Sequence, residues 1–427
     1  MLDNENVLQN ITVDVLQHHV FPLLNAFDLM NLSFTCQSFH HLILKSSCQL
    51  WEQLYAQEYT VSSSSSSSLK HENDDWYQKF KQRKELDVTV LSRLQHIPHD
   101  DDDGRNWRSL LFDGPNIIDQ LFRLEQQQET IAVVTRKTIL AIHRLETCWE
   151  WYQLMSNSSD NNTVDIEMGA IMLSKVYQTH PYQNNNNNNH TTSCTDLQIC
   201  EMLQQHAIQL QQRLRDKNIP DTRTKYENIV HEMKHFFQSI DEAQESHNNN
   251  NKFKGNIGDY YNYQNSLIDR ILFHTKKGIP ITLSIIYASI VRRATGIQMD
   301  PVGIPGHFLL SIGTGQNRLF VDAFDGGKVL TKEDCIQIVQ TRYGQPWHDS
   351  MANPISNKQV WARMLRNLIH CHARFFKTNH NKLEEFQFCE IMYDIDMFLL
   401  LCAENRIPTI HAKEEILQRV ALKFLQY

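Results

Sequence analysis

The chain has 427 residues, 41% of them apolar and 10% aromatic, which is too many for one typical core and enough to bury two or three. Its formal charge of −8 excludes a dedicated nucleic-acid binder, because phosphate contacts need a concentrated Lys/Arg surface. Nine cysteines without a CxxC exclude a disulfide framework and a zinc signature, and no apolar run reaches the ~20 residues of a membrane span.

The opening MLDNENVLQN has neither a basic nor an apolar leader region, so the expected location is the cytoplasm and/or the nucleus. Apolar residues then recur at helical spacing: Val13, Leu16, Val20 and Leu24, next Leu29, Leu32 and Cys36, next Phe39, Leu42 and Ile43. Asp28 is placed to cap the second of these helices. Three short helices make an undersized core that is expected to complete its burial on a partner. Polar tracts at Ser62 to Ser68, Asp100 to Asp103, Asn184 to Asn189 and Asn248 to Asn251 read as insertions or linkers between packets.

Helical periodicity returns over Ile166 to His180, Leu197 to Leu214 and Pro280 to Ala294, where Pro280 suits a first-turn position and Gly296 a helix stop. The pattern then changes to strands. His307 to Ile312 and Arg318 to Ala323 flank a Gly-rich connection, which is hairpin chemistry, and alternation puts His307, Leu309 and Ser311 on one face. Val360 to Phe375, Leu383 to Ala403 and Glu414 to Leu425 return to helices, expected as antiparallel pairs. His99 to Gly104 is rejected as a calcium loop because His99 falls at its first ligand position and Leu110 where its closing Glu belongs, and His370 and His372 point to different sides of a helix, so no metal and no cofactor is expected.

Between Ile11 and Tyr59, Leu16, Asp28, Leu29, Leu32, Cys36, Phe39, Leu50, Trp51 and Leu54 stand where an F-box has its characteristic residues, and this stretch resembles that family. Ile11 and Thr12 replace its Leu-Pro opening, Asp14 replaces a Glu and Gln37 a basic residue. The resemblance implies docking on the Skp-type adaptor of a cullin ubiquitin ligase, through Leu16, Val20, Leu24, Leu29, Leu32, Phe39, Trp51 and Leu54.

FKGNIGDYYNYQNSLIDRIL, KGIPITLSIIYASIVRRATGI and VGIPGHFLL, in order with consistent gaps, resemble the SirB-type transglutaminase-like family. In catalytic members of the wider superfamily a Cys opens the helix, a strand His takes its proton and a second-strand Asp orients that His. His307 and Asp322 match the last two positions. The Cys position falls at Pro280 or Ile281, so the pair is degenerate unless Thr282 or Ser284 reaches His307. The expected substrate cleft is formed by Asn256, Asp259, Tyr260, Tyr261, Asn265, His307 and Asp322.

The fold expected is α+β and mostly helical: an F-box over 8–60, a helical linker over 61–160, a papain-like helix-plus-antiparallel-sheet core over 161–340, and a tetratricopeptide-like helical tail over 341–427. Two readings stay open. One is a non-catalytic substrate-recognition subunit partnered by a Skp-type adaptor, cullin subunits and a protein substrate, with no nucleic acid and no membrane. The other is a hydrolase or acyl transferase using the His307–Asp322 pair with a hydroxyl nucleophile.

Overall fold

A computed structural model of the chain describes residues 15–16, 20–24, 26–33, 35, 37–45, 48–59, 75–100, 110–111, 113–127, 132–157, 165–178, 195–215, 221–240, 251–378 and 383–406. The Ser62 to Ser68 and Asn184 to Asn189 tracts, Asp101 to Asp103, Asn248 to Asn250, Cys36 and the Glu414 to Leu425 stretch lie outside them, as do Ile11, Thr12 and Asp14. The fold is α+β and mostly helical, and it divides into two compact units, residues 1–142 and 143–427. The boundaries expected at 161 and 341 both fall inside the second unit.

The first unit begins with α1 (Ala26–Ser33), α2 (Gln37–Lys45) and α3 (Cys48–Glu58), and continues with α4 (Trp76–Asp100) and α5 (Ile118–Gln127). The expected Val13 to Leu24 helix does not run through: Phe21–Leu23 is a 3-10 turn and Leu24 is extended, because Pro22 has no amide to continue the ladder. Asp28 sits within the first turn of α1, not before it, where its charge still favours the helix N-terminus.

Leu16, Phe21, Leu29, Ile43, Leu50 and Trp51 form one cluster with Tyr59 and Phe80. The Trp51 indole donates to the Ile43 carbonyl at 2.8 Å and packs on Tyr77 and Phe80, with ring centroids 5.1 and 5.4 Å away. The three short helices thus complete their core on α4 of the same chain, not on a partner alone.

Helix α6 (Ala132–Asn157) spans the division, and from its residue His143 the second unit continues with α7 (Ile166–Val176), α8 (Asp196–Leu214), α9 (Thr222–Met233), α10 (Pro280–Thr295), α11 (Lys332–Tyr343), α12 (Asn357–Thr378) and α13 (Leu383–Ala403). Helix α10 is the axis of the unit. Every residue from Pro280 to Val291 is buried, Pro280 occupies the first turn, and Gly296 closes the helix at a φ of 71°. Glu167 of α7 accepts from Ser289 at 2.5 Å and from Arg292 at 2.7 Å, and also from Arg293. Burial opposes its charge, but these donors outweigh it and hold the carboxyl below the usual range. Helices α12 and α13 bury Trp361, Leu365, Ile395 and Phe398 in the same cluster as α7 and α10, so the tail belongs to this core.

Strands β1 (Lys254–Gly255) and β2 (Lys277–Gly278) pair in parallel, and β3 (Asp300–Val302), β4 (Leu309–Ile312), β5 (Leu319–Asp322) and β6 (Lys328–Leu330) form an antiparallel sheet in sequence order. Leu310, Ile312 and Val321 face the α10 cluster, whereas Leu309, Phe320 and Leu330 face a second cluster with Cys335 and Val339 of α11. The sheet is therefore covered on both faces.

His143 on α6 is wholly buried, its Nε2 3.0 Å from the Lys175 carbonyl, and burial pushes its pKa from 6.5 down to about 3. It stays neutral when folded while the unfolded chain takes up a proton below its ordinary value. Its stabilising contribution is complete above 6.5 and is lost as pH falls towards about 3. Denaturant unfolding should lose ~1.4 kcal/mol per pH unit below that ordinary value, and His143→Gln should flatten this slope. An unchanged slope in the variant would contradict the assignment.

Candidate functional site

The hairpin expectation holds, with one shift. Strand β4 begins at Leu309, opposite Val302, and His307 stands before it in a turn where its amide donates to the Ile304 carbonyl at 3.2 Å. Pro305 lacks a donor and Gly306 adopts a φ of 66°, so the ladder cannot start earlier. His307 therefore does not share the strand's alternation with Leu309 and Ser311.

His307 and Asp322 are brought together, Nε2 to Oδ2 at 2.7 Å, with side-chain exposures of 8% and 10%. The other Asp322 oxygen accepts the amides of Phe324 and Asp325 at 3.0 and 3.2 Å. Each carboxylate oxygen thus has its own work, one orienting the imidazole and one fixing the turn after β5. Asp325 continues the anchoring by accepting the Ile240 amide at 3.0 Å.

A nucleophile would have to come from the start of α10. That turn presents Pro280 and Ile281, and the Thr282 and Ser284 hydroxyls are fully buried with no hydrogen-bond partner. Neither is therefore bonded to His307. Cys335, within electrostatic reach of Asp322, is buried among Leu309, Phe320 and Leu330, and burial pushes its thiol up to about 11, so it remains protonated.

The loop between β1 and α10 is held by its own side chains. Asn256 donates to the Asn265 amide oxygen at 3.0 Å, Asn265 donates to the Asp259 carbonyl at 2.6 Å, and Asn262 donates to the Asp259 carboxylate at 2.9 Å. Asn256 and Asn265 are thus spent on the loop. Asp259, Tyr260 and Tyr261 instead line a cavity of about 550 Å³ closed by Tyr263, His372, Arg374, Phe375, Glu385 and Phe388. Tyr261 is 44% exposed, with the Arg374 guanidinium 4.4 Å from its ring centroid. The expected cleft is therefore divided: His307 and Asp322 are not part of this cavity's lining, and Tyr260 lies at a centroid distance of 6.4 Å from Phe324, whose amide Asp322 holds.

Under the cavity, Tyr177 donates to Asp396 at 2.5 Å and lies 2.7 Å from His372 Nε2. Nothing in the i, i+2 spacing of His370 and His372 points to this contact. No group of three His, Cys, Asp or Glu able to hold a metal occurs among the described residues.

Of the F-box-like positions, Leu16, Leu29 and Trp51 are interior, while Val20, Leu24, Leu32, Phe39 and Leu54 are half-buried against them. Leu23, 84% exposed, and Val15, 42% exposed, are the outward apolar residues that the periodicity missed. Pro22, in the first turn of the 3-10 segment, is the sequence signal for Leu23.

Residues 197–366 match the model of the transglutaminase-like superfamily. The chain carries a transglutaminase-like domain. Over 132 residues it is 33% identical to a UPF0162 protein of Xylella fastidiosa strain 9a5c, a match covering 30% of this chain and 45% of that protein. Over 126 residues it is 35% identical to F-box only protein 21 of Homo sapiens and 34% identical to that of Mus musculus, covering 28% of this chain and 19% of each relative. The chain thus matches less than half the length of these relatives. No solved structure matches.

Proposed function

We propose that the chain is a substrate-recognition subunit of a Skp-, cullin- and F-box-type ubiquitin ligase, in which the transglutaminase-like domain holds a protein substrate without catalysing a reaction on it. The observation that carries the non-catalytic part is that, among the described residues, the start of α10 offers the His307–Asp322 pair no bonded nucleophile: Pro280 and Ile281 open α10, and the Thr282 and Ser284 hydroxyls are buried and unbonded. The acyl-transfer alternative needs a hydroxyl hydrogen-bonded to the imidazole, and neither Thr282 nor Ser284 makes that bond. Such a subunit contributes proximity to a ubiquitin-charged enzyme and works in the cytoplasm or nucleus.

The ligase part of the proposal is supported by the likeness to F-box only protein 21 and by the helical unit of α1 to α3. The UPF0162 relative matches too, so the core's likeness alone does not carry adaptor docking, and the N-terminal unit must be tested directly. Substrate would sit in the aromatic cavity of Tyr260, Tyr261, Tyr263 and Phe388, where ring faces and a few charges suit a peptide side chain.

Co-purification of the full chain with a Skp-type adaptor and cullin tests the reading. Trp51→Ala would empty the unit's core, so the informative variant is Leu23→Asp combined with Val15→Asp, both outward-facing. It should weaken adaptor binding roughly tenfold or more with an unchanged unfolding midpoint. Absence of adaptor binding by the unaltered chain would sink the ligase reading.

A further inference from the structure

Beside the turn that carries His307, α12 and the end of α13 enclose a second cavity of about 500 Å³, distinct in lining from the aromatic one. Its wall carries Lys358, Arg363, Arg366 and Arg406 against a single carboxylate, Glu404. Glu404 is already shared, accepting from Arg366 at 2.5 Å and from Arg406 at 3.1 Å.

Arg363 differs from its neighbours. Its guanidinium is partly buried and donates to the Ile304 carbonyl at 3.1 Å, and it has no carboxylate partner among the described residues. Gly303 makes room for it, since a Cβ there would fall 2.3 Å from Nη1. Burial, and then the neighbouring Arg366, press its pKa below the arginine range. A cation withdrawn from water without a counter-charge is costly, and an anion entering the cavity relieves that cost.

We propose that this cavity binds a phosphate monoester dianion. Guanidinium forks match phosphate oxygens in pairs, and a lining of four cations and one carboxylate calls for more than the single charge of another carboxylate. The Ile304 carbonyl that Arg363 holds also accepts the His307 amide, so an occupant touches the group that braces the His307 turn. The site stands apart from the ligase reading and does not depend on it.

Calorimetric titration of the full chain with inorganic phosphate, a phosphoserine peptide, the same peptide with serine, and acetate tests the proposal. Phosphate and phosphopeptide should bind about tenfold or more tightly than serine peptide and acetate, and binding should strengthen from pH ~5 to pH ~7.5 as the second phosphate proton leaves. Arg363→Gln should weaken phosphate binding roughly tenfold, and Glu404→Gln, which releases Arg366 and Arg406, should tighten it. Arg223→Gln on α9 should change nothing.

If Arg363→Gln disturbs the His307 turn, the exposed pair Arg366→Gln with Arg406→Gln gives the same reading by weakening binding about fivefold. A phosphopeptide preferred over inorganic phosphate identifies a protein-borne group, and equal affinities identify free phosphate; either supports the site. Phosphate affinity unaltered in all these variants, or acetate binding as tightly as phosphate, overturns it.

Discussion

Asp396→Ala should destabilise the second unit by about 3–5 kcal/mol, the range for removing one member of a buried, hydrogen-bonded polar set. Asp396 is fully buried on α13 and accepts the Tyr177 hydroxyl at 2.5 Å, with His372 Nε2 3.5 Å away. Tyr177 closes α7 and His372 lies on α12, so three helices meet at this carboxylate. Since the phenol donates to Asp396, it accepts from His372, whose Nε2 then carries the proton. Burial pushes the Asp396 carboxyl above its usual range, and its Oδ1 has no partner, so the set is already under strain from desolvation.

Truncation leaves the Tyr177 phenol without its acceptor and a void where the carboxylate stood. Asp396→Asn keeps an acceptor for Tyr177 and should cost roughly 1–2 kcal/mol. Guanidinium unfolding of both variants measures the difference. A loss below about 1 kcal/mol in Asp396→Ala would mean that the network contributes no net stability.

Local chemistry in the sequence was a dependable guide where one segment decides its own conformation. Pro280 and Gly296 delimit α10 because one lacks a donor that the first turn does not use and the other tolerates a positive φ. The pairing of His307 with Asp322 was legible because a single hairpin separates them. The start of β4 was not, since periodicity cannot weigh Pro305 and Gly306 against a continuing apolar run.

What sequence reading missed depends on contacts between distant segments. Phe80 completes the cluster around Trp51 from beyond a polar tract, which made the first three helices look unfinished. Tyr177, His372 and Asp396 lie on three separate helices, and nothing local in any of them announces the others. The aromatic cavity has the same origin: Asp259, Tyr260 and Tyr261 were found as a polar, aromatic loop, whereas Phe375, Glu385 and Phe388 belong to amphipathic helices that read as ordinary core.

The dyad itself yields an asymmetric result. Asp322→Ala should cost about 2–4 kcal/mol, because it strips acceptors from the His307 ring and from the Phe324 and Asp325 amides, each buried donor costing ~1–3 kcal/mol when orphaned. His307→Ala should cost only about 1–2 kcal/mol, since it leaves Asp322 its two amide donors and removes a ring at the edge of the core. A catalytic pair behaves differently: both substitutions would abolish turnover, and an acyl probe would label the unaltered chain at the nucleophile. Labelling that disappears in His307→Ala would restore the acyl-transfer reading, with Thr282 or Ser284 as the residue to map. Equal stability losses in the two variants would mean that the amide bonds of Asp322 contribute little. The expected pattern, a large loss for Asp322, a small one for His307 and no labelling, assigns the pair to the architecture of the turn between β5 and β6. That turn is anchored further by Asp325 on the Ile240 amide, and at Gly326 a Cβ would fall 2.5 Å from the Ser239 amide nitrogen.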